Sequence, residues 1–209
     1  MNNIKNIVFD LGGVIVDLDI KTSLLAFSKL MTAPILTEQK AIDSLRPLMH
    51  AMDVGDMDAQ TFINTLKATC RPDVTDEQIV DAFNLIIRLP RQRLEWLKTL
   101  RQSYKVYLLS NIGDLHWKET QRLAAGHGID ISECFDEVFL SYRLHMAKPD
   151  PRIYTHLIRE TGINPQESLY IDDLPDNIEA GKASGLMAYK IEGNSLDQAL
   201  PKLFPELLL

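Results

Sequence analysis

Two short apolar runs, one near each end of the 209-residue chain, stop abruptly at carboxylates, and no other feature limits the fold so tightly. The first is Asn6-Ile7-Val8-Phe9-Asp10-Leu11-Gly12-Gly13-Val14, and the second is Ser168-Leu169-Tyr170-Ile171-Asp172-Asp173. Buried parallel strands read as near-continuous apolar runs, and open α/β sheets place their ligands outside the carboxyl ends of the strands. Asp10, Asp172 and Asp173 gathered at one such edge repel one another unless positive charge sits among them. Oxygen-only ligands suit a hard cation, and Mg2+ characteristically takes one or two carboxylates plus waters and phosphate oxygens. The two strand ends therefore predict an α/β sheet with phosphate chemistry at one edge.

Between the two runs the sequence changes character once. From Ile20 to Arg91 no convincing strand is found, and apolar residues recur three and four apart, as at Leu24, Phe27, Leu30 and Met31 or at Phe62 and Leu66. Thr37, Asp58 and Thr75 each precede acidic or amide residues in the way of helix N-caps. Four short helices are expected in this stretch. Beyond it, alternation returns: helix over 90–102, strand over 105–111, helix over 114–125, a weaker strand over 135–141 and helix over 150–160. A strand at 169–171, a helix over 175–184 and a last strand over 187–191 complete the series. Alternating strands and helices predict a doubly wound parallel sheet, a Rossmann-like α/β core. The expected division is a core of residues 1–16 and 92–209 with a helical insert of residues 17–91.

Composition narrows the class of function. The chain is 45% hydrophobic and 24% charged, ordinary for a globular domain with a real core. A net charge of −7 argues against sequence-independent nucleic-acid binding or attachment to anionic membranes, both of which need a basic face. Cys70 and Cys134 lie far apart without metal-ligand or redox spacing, so a reduced, intracellular setting is expected. The run Ile7-Val8-Phe9 meets Asp10 long before a signal-peptide core forms, and no stretch approaches the ~20 apolar residues of a membrane helix. The expected location is the cytoplasm. Oligomeric state leaves no mark.

Four clusters fall at successive strand ends or loops. Asp10 is followed by Gly12 and Gly13, which let the backbone turn sharply beside a ligand. Ser110-Asn111 ends the strand over 105–111, ahead of a helix whose free N–H groups suit an anion. Lys148 places a cation before another helix, and Asp172-Asp173 completes the set. Taken singly, each has a plainer role as a cap, a turn or a solvated side chain. Taken together, they lie at βα junctions that converge on one edge of the sheet. His50 and His116 read as surface or packing residues, Asp17 and Asp19 as hinge or capping residues, and Trp96 and Trp117 as packing. His145 carries more weight because it stands three residues before Lys148.

This ordered set resembles the four motifs of the haloacid dehalogenase-like (HAD) hydrolases, and the resemblance spans the chain. The helical insert is placed like a type-I cap. The likeness is greatest to the subgroup of α-D-glucose-1-phosphate phosphatases and the N-terminal phosphatase domain of soluble epoxide hydrolases. Ser141-Tyr142-Arg143-Leu144 and Asn177-Ile178-Glu179-Ala180 add to it. The resemblance implies a Mg2+-dependent phosphomonoesterase acting on a small phosphorylated metabolite, such as a sugar phosphate, through an aspartyl-phosphate. Asp10 would be the nucleophile. Ser110 and the Asn111 amide would hold the phosphoryl oxygens, with Lys148 neutralising charge. Asp10, the Gly12 carbonyl and Asp173 would bind the metal, with Asp172 a second ligand or an outer partner. Asn177 would brace the loop.

One position departs from the pattern. Most phosphatases of this family carry a second aspartate two residues after the nucleophile, as proton donor and acceptor, and here that position is Gly12. A positioned acid or base contributes about 10²–10⁴-fold. Three outcomes stay open: water or a cap residue replaces it, substrates with good leaving groups are favoured, or the protein binds phosphate ligands with little turnover. Dehalogenation, the other chemistry of the family name, is disfavoured by the Asp172-Asp173 pair.

Overall fold

The computed structural model describes residues 3–33 and 37–208. Five strands form one sheet, β1 (Asn6–Phe9), β4 (Lys105–Ser110), β5 (Glu137–Leu140), β6 (Ser168–Asp172) and β7 (Met187–Lys190), in the order β5-β4-β1-β6-β7. Every pairing in it is parallel. Two further strands, β2 (Asp17–Leu18) and β3 (Ile87–Arg88), pair antiparallel at the base of the insert. The expectation of no strand between Ile20 and Arg91 is corrected there. A two-residue strand is too short to show alternation, so its pattern is invisible in the sequence.

Side-chain alternation along the strands explains the layering. Ile7, Phe9, Val106, Leu108, Leu169 and Ile171 point to one face, where α5 (Arg91–Leu100), α6 (Asp114–Gly126) and α10 (Leu196–Leu203) pack. Val8, Tyr107, Leu109 and Tyr170 point to the other, against α8 (Pro151–Thr161) and α9 (Pro175–Ala183). Both faces are covered, which is why these strands read as continuous apolar runs rather than half-polar ones. A short helix, α7 (Ser141–Leu144), follows β5 directly.

Between β2 and β3 lie α1 (Ile20–Ser28), α2 (Glu38–Asp53), α3 (Ala59–Lys67) and α4 (Asp76–Asn84), the four helices expected there. They share a hydrophobic cluster of their own that includes Phe27, Met52, Phe62, Ile79 and Phe83. Thr37, Asp58 and Thr75 cap α2, α3 and α4 through their side-chain oxygens, each such cap contributing about 1 kcal/mol. Asp19 caps α1 in the same way, the capping role expected of it.

The chain leaves β1 towards β4 and leaves β6 towards β7, so the sheet has its topological switch at the neighbouring carboxyl ends of β1 and β6. The helical layer stands over that edge. His145, in the left-handed conformation after α7, donates from Nδ1 to the Val54 carbonyl at 2.9 Å. Gly55, at φ +75°, lies against the Tyr142 carbonyl with no space for a side chain. These contacts seat the turn after α2 on the core.

Candidate active site

Parallel pairing brings the four strand-end clusters together. Phe9 stands beside Leu108 and Ile171, so Asp10 and Asp172 emerge side by side, with Ser110 one residue further along β4. The Asp10 N–H continues the ladder by donating to the Ile171 carbonyl at 2.9 Å. Carboxylate oxygens of Asp10, Asp172 and Asp173 all lie within 4.8 Å of one another.

Lys148 is the cation among them. Its ammonium is 2.8 Å from Asp10 Oδ1 and 2.7 Å from Asp172 Oδ2, and it is almost completely buried. Burial alone would lower Lys148, but the two carboxylates hold it above its ordinary value. Asp10 shows the opposite balance: burial pushes its carboxyl up, to about 7, against the pull of Lys148. Its Oδ1 also accepts from the Leu11 N–H at 2.6 Å.

Asp172 is fully engaged. Oδ1 accepts from the Leu174 N–H at 2.8 Å, Asn177 Nδ2 reaches both oxygens at 3.1 Å, and Tyr170 donates its hydroxyl to Oδ2. Burial would raise its pKa, yet Lys148 and these donors hold it below the usual carboxylate range. Tyr154 in turn donates to the Asn177 carbonyl at 3.0 Å, so Asn177 is braced between the two. Asp173 differs in kind. Among the described residues no other side chain donates to its carboxylate, and burial with the nearby Asp172 charge raises its pKa. Glycine backbones enclose it: a Cβ on Gly13, at φ +72°, would lie 2.5 Å from Asp173 Oδ2, and one on Gly193 3.1 Å from it.

Three carboxylates against one lysine leave surplus negative charge in a buried place, and every free donor atom is oxygen. That is the donor chemistry of a hard cation. Of the two roles expected for Asp172, its hydrogen bonds favour the outer partner that orients Lys148.

Asn111 is tied to the lysine loop. Its Nδ2 donates to the Lys148 carbonyl and its Oδ1 accepts from the Lys148 N–H, both at 2.8 Å. What remains for an anion is its backbone N–H, beside the Ser110 hydroxyl. Ser141 Oγ accepts from the Ile112 N–H at 2.9 Å and steadies the same turn.

A cavity of about 120 Å³ opens beyond this floor, lined by Gly12, Ser110 and Asn111 from the core and by Met49 and Asp53 from α2. His116 of α6 also borders it, partly buried and stacked on Phe83 with ring centroids 4.0 Å apart, which is the packing role expected. Trp117 lies in the core and Trp96 against it, also as expected. Asp17 forms an ion pair with Arg93 at 2.8 Å and turns away from the cleft. Sequence reasoning missed Asp53 altogether. Met52-Asp53-Val54-Gly55 carries no local signature, and only the seating of α2 over the sheet edge brings that carboxyl to the cavity.

Known proteins align with this arrangement. The family model for haloacid dehalogenase-like hydrolases matches residues 4–185. A D-ribitol-5-phosphate phosphatase from Bacteroides thetaiotaomicron is 32% identical over 195 residues, covering 92% of this chain and 94% of its own. The crystal structure of a HAD family enzyme from the same organism superimposes with a TM-score of 0.86 at 30% identity, over 97% of this chain and 98% of that one. A structure of the wild-type form of that enzyme, in complex with magnesium and inorganic phosphate, gives 0.84 at 30% identity over 94% and 98%.

Proposed function

The chain belongs to the haloacid dehalogenase-like hydrolase family, and from that premise we propose that it is a Mg2+-dependent phosphomonoesterase of small phosphorylated metabolites, of the sugar- or polyol-phosphate class. The observation that carries the proposal is the buried Asp10–Lys148–Asp172 array beside the free Asp173 carboxylate. The relative that is a D-ribitol-5-phosphate phosphatase supports the substrate class, and the cavity beside Ser110 and Asn111 offers a place for the leaving group. The magnesium and phosphate held by a 30% identical structure support the cofactor.

In this mechanism an Asp10 oxygen attacks phosphorus and forms an aspartyl-phosphate, which water then hydrolyses, so that one difficult displacement becomes two easier ones. The Ser110 hydroxyl and the backbone N–H of Asn111 hold phosphoryl oxygens where charge develops. Lys148 neutralises Asp10 and the incoming dianion together, and Asp172 fixes its ammonium through a 2.7 Å bond. Asp10, the Gly12 carbonyl and Asp173 hold the metal. Bound there, Mg2+ offsets the surplus carboxylate charge, keeps Asp10 ionised and draws charge from the phosphoryl oxygens.

The test is a panel of phosphorylated metabolites, ribitol 5-phosphate first, assayed with Mg2+ and with chelator. Turnover is expected only with metal, and Asp10→Asn, which changes charge but little volume, is expected to show none above background. Ligand-induced stabilisation without turnover would replace this reading with a phosphate-binding protein. Turnover that persists in Asp10→Asn would remove the covalent mechanism.

A further inference from the structure

Cleaving an alkyl phosphate leaves an oxygen that must be protonated, and the groups nearest the phosphorus are already occupied. Asp10 attacks, Lys148 is paired with Asp10 and Asp172, and Asp172 accepts from Tyr170, Asn177 and Leu174 as well. Gly12 has no side chain, and a Cβ there would touch only Leu18, at 3.6 Å. The cavity beyond Gly12 and Ser110 offers two more ionisable side chains, Asp53 and His116.

His116 is unsuited to the task. Burial pushes its ring down to about 4, so it is neutral, and its Nε2 faces the Phe83 carbonyl at 3.4 Å. Asp53 has the opposite properties. Its carboxyl borders the cavity at the C-terminal end of α2, near the backbone N–H of Gly113 at the start of α6, which draws its pKa down. Among the described residues no cation pairs with it. Burial pushes it up to about 7, more strongly than the nearby Gly113 N–H pulls it down, so near neutral pH it carries a proton much of the time.

From this placement we propose that Asp53, carried by the helical layer, is the catalytic acid that protonates the leaving oxygen of the substrate. The proposal rests on the phosphatase reading. As the Asp10 oxygen bonds to phosphorus, the bond from phosphorus to the leaving oxygen breaks and its electron pair stays on that oxygen. The proton passes from Asp53 to it, so an alcohol departs and Asp53 becomes a carboxylate. In the second step water attacks the same phosphorus, its proton goes to Asp53, and the phosphorus–oxygen bond to Asp10 breaks. Inorganic phosphate leaves, Asp10 is again a carboxylate and Asp53 again an acid.

The experiment reads leaving-group release in the first turnover with saturating Mg2+, which isolates the step that needs the acid. Asp53→Asn keeps the volume and removes the ionisable proton. Its release from alkyl phosphates is expected to fall by about 10²-fold or more, and from p-nitrophenyl phosphate by less than about tenfold, because a nitrophenolate departs without a proton. Equal losses on both substrates, or none, would overturn the assignment, since a purely structural role for Asp53 does not sort substrates by leaving group. Should Asp53→Asn fail to fold, the unaltered protein decides: the slope of log rate against leaving-group pKa is expected to be shallow, and a steep slope overturns the assignment. Asp10→Asn separates the two claims. If it still releases leaving group, the covalent reading is lost while the substrate comparison still judges Asp53. If the unaltered protein releases none, the phosphatase reading falls and Asp53 falls with it.

Discussion

At Asp53 the cost of the proposed chemistry is a carboxyl that ionises less readily in the folded chain than in the unfolded one. Its folded pKa is about 7 against an ordinary 3.8, so between those values the native state holds a proton that the unfolded state lacks. Stability then falls as pH rises across that window, because the unfolded state binds fewer protons there. The contribution is fully present below the unfolded pKa and lost as pH passes the folded one. Asn at this position never ionises, so Asp53→Asn is expected to gain in Tm relative to the unaltered protein between pH 4 and pH 7, and to gain nothing more above it. Thermal melts in chelator at pH 4, 6 and 8 check this, and a pH-independent difference would contradict it. His116, which borders the same cavity, stays neutral through most of this range because burial lowers it to about 4. A residue that functions while weakening the native state is the usual trade between stability and activity.

An element matters here mainly through where its end is placed. Helix α2 ends at Asp53, and the turn that follows is pinned by the His145 bond to the Val54 carbonyl and by Gly55 against Tyr142. Gly55 sits at φ +75°, a conformation that costs a non-glycine residue roughly 1–2 kcal/mol, and an added Cβ would run into the Tyr142 carbonyl. Gly55→Ala is therefore expected to lift the turn and move Asp53 with it. Steady-state kinetics should show a fall in kcat/KM on alkyl phosphates far larger than a loss of this size in stability explains. Unchanged kinetics with a lowered Tm would mean that the turn is braced from elsewhere. None of this seating was legible in the sequence, although the helix itself was. Thr37 marks the start of α2 because a cap is local. The docking of its last turn depends on Tyr142 and His145, some ninety residues away. His145 attracted notice for its nearness to Lys148, whereas its structural part is to hold the helical layer.

Across the whole molecule, the same division between local and distant causes decides what could be read in advance. Asp10, Ser110, Lys148 and Asp172 were visible because each ends a buried apolar strand or opens a helix, and a parallel sheet collects such ends on one edge. Arg93 was not visible, although it ties the molecule together. It is 1% exposed on α5, and it donates to the carbonyls of Val14 and Ile15 at 3.0 and 3.2 Å, pairs with Asp17 at 2.8 Å and grips Asp197 of α10 through two bonds of 2.9 Å. A lone arginine in a helical pattern reads as surface, and only the packing of three distant segments around it reveals its role. It joins the end of the first motif, the strand that begins the helical insert and the C-terminal helix. Burial disfavours its charge, but the two carboxylates more than restore it. Removing one partner of a buried ion pair typically costs about 3–5 kcal/mol, because the other charge is left uncompensated. Arg93→Met is expected to lower Tm by about 6–20 °C, taking roughly 2–4 °C per kcal/mol for a chain of this size. Adding Asp17→Asn should recover part of that loss, since the stranded carboxylate is then gone, and a double-mutant cycle measures the coupling directly. Strictly additive losses would show that Asp17 is already satisfied by solvent. The joint between core and helical layer would then owe its rigidity to the backbone bonds from Arg93, the β2–β3 ladder and the contacts of His145 and Gly55.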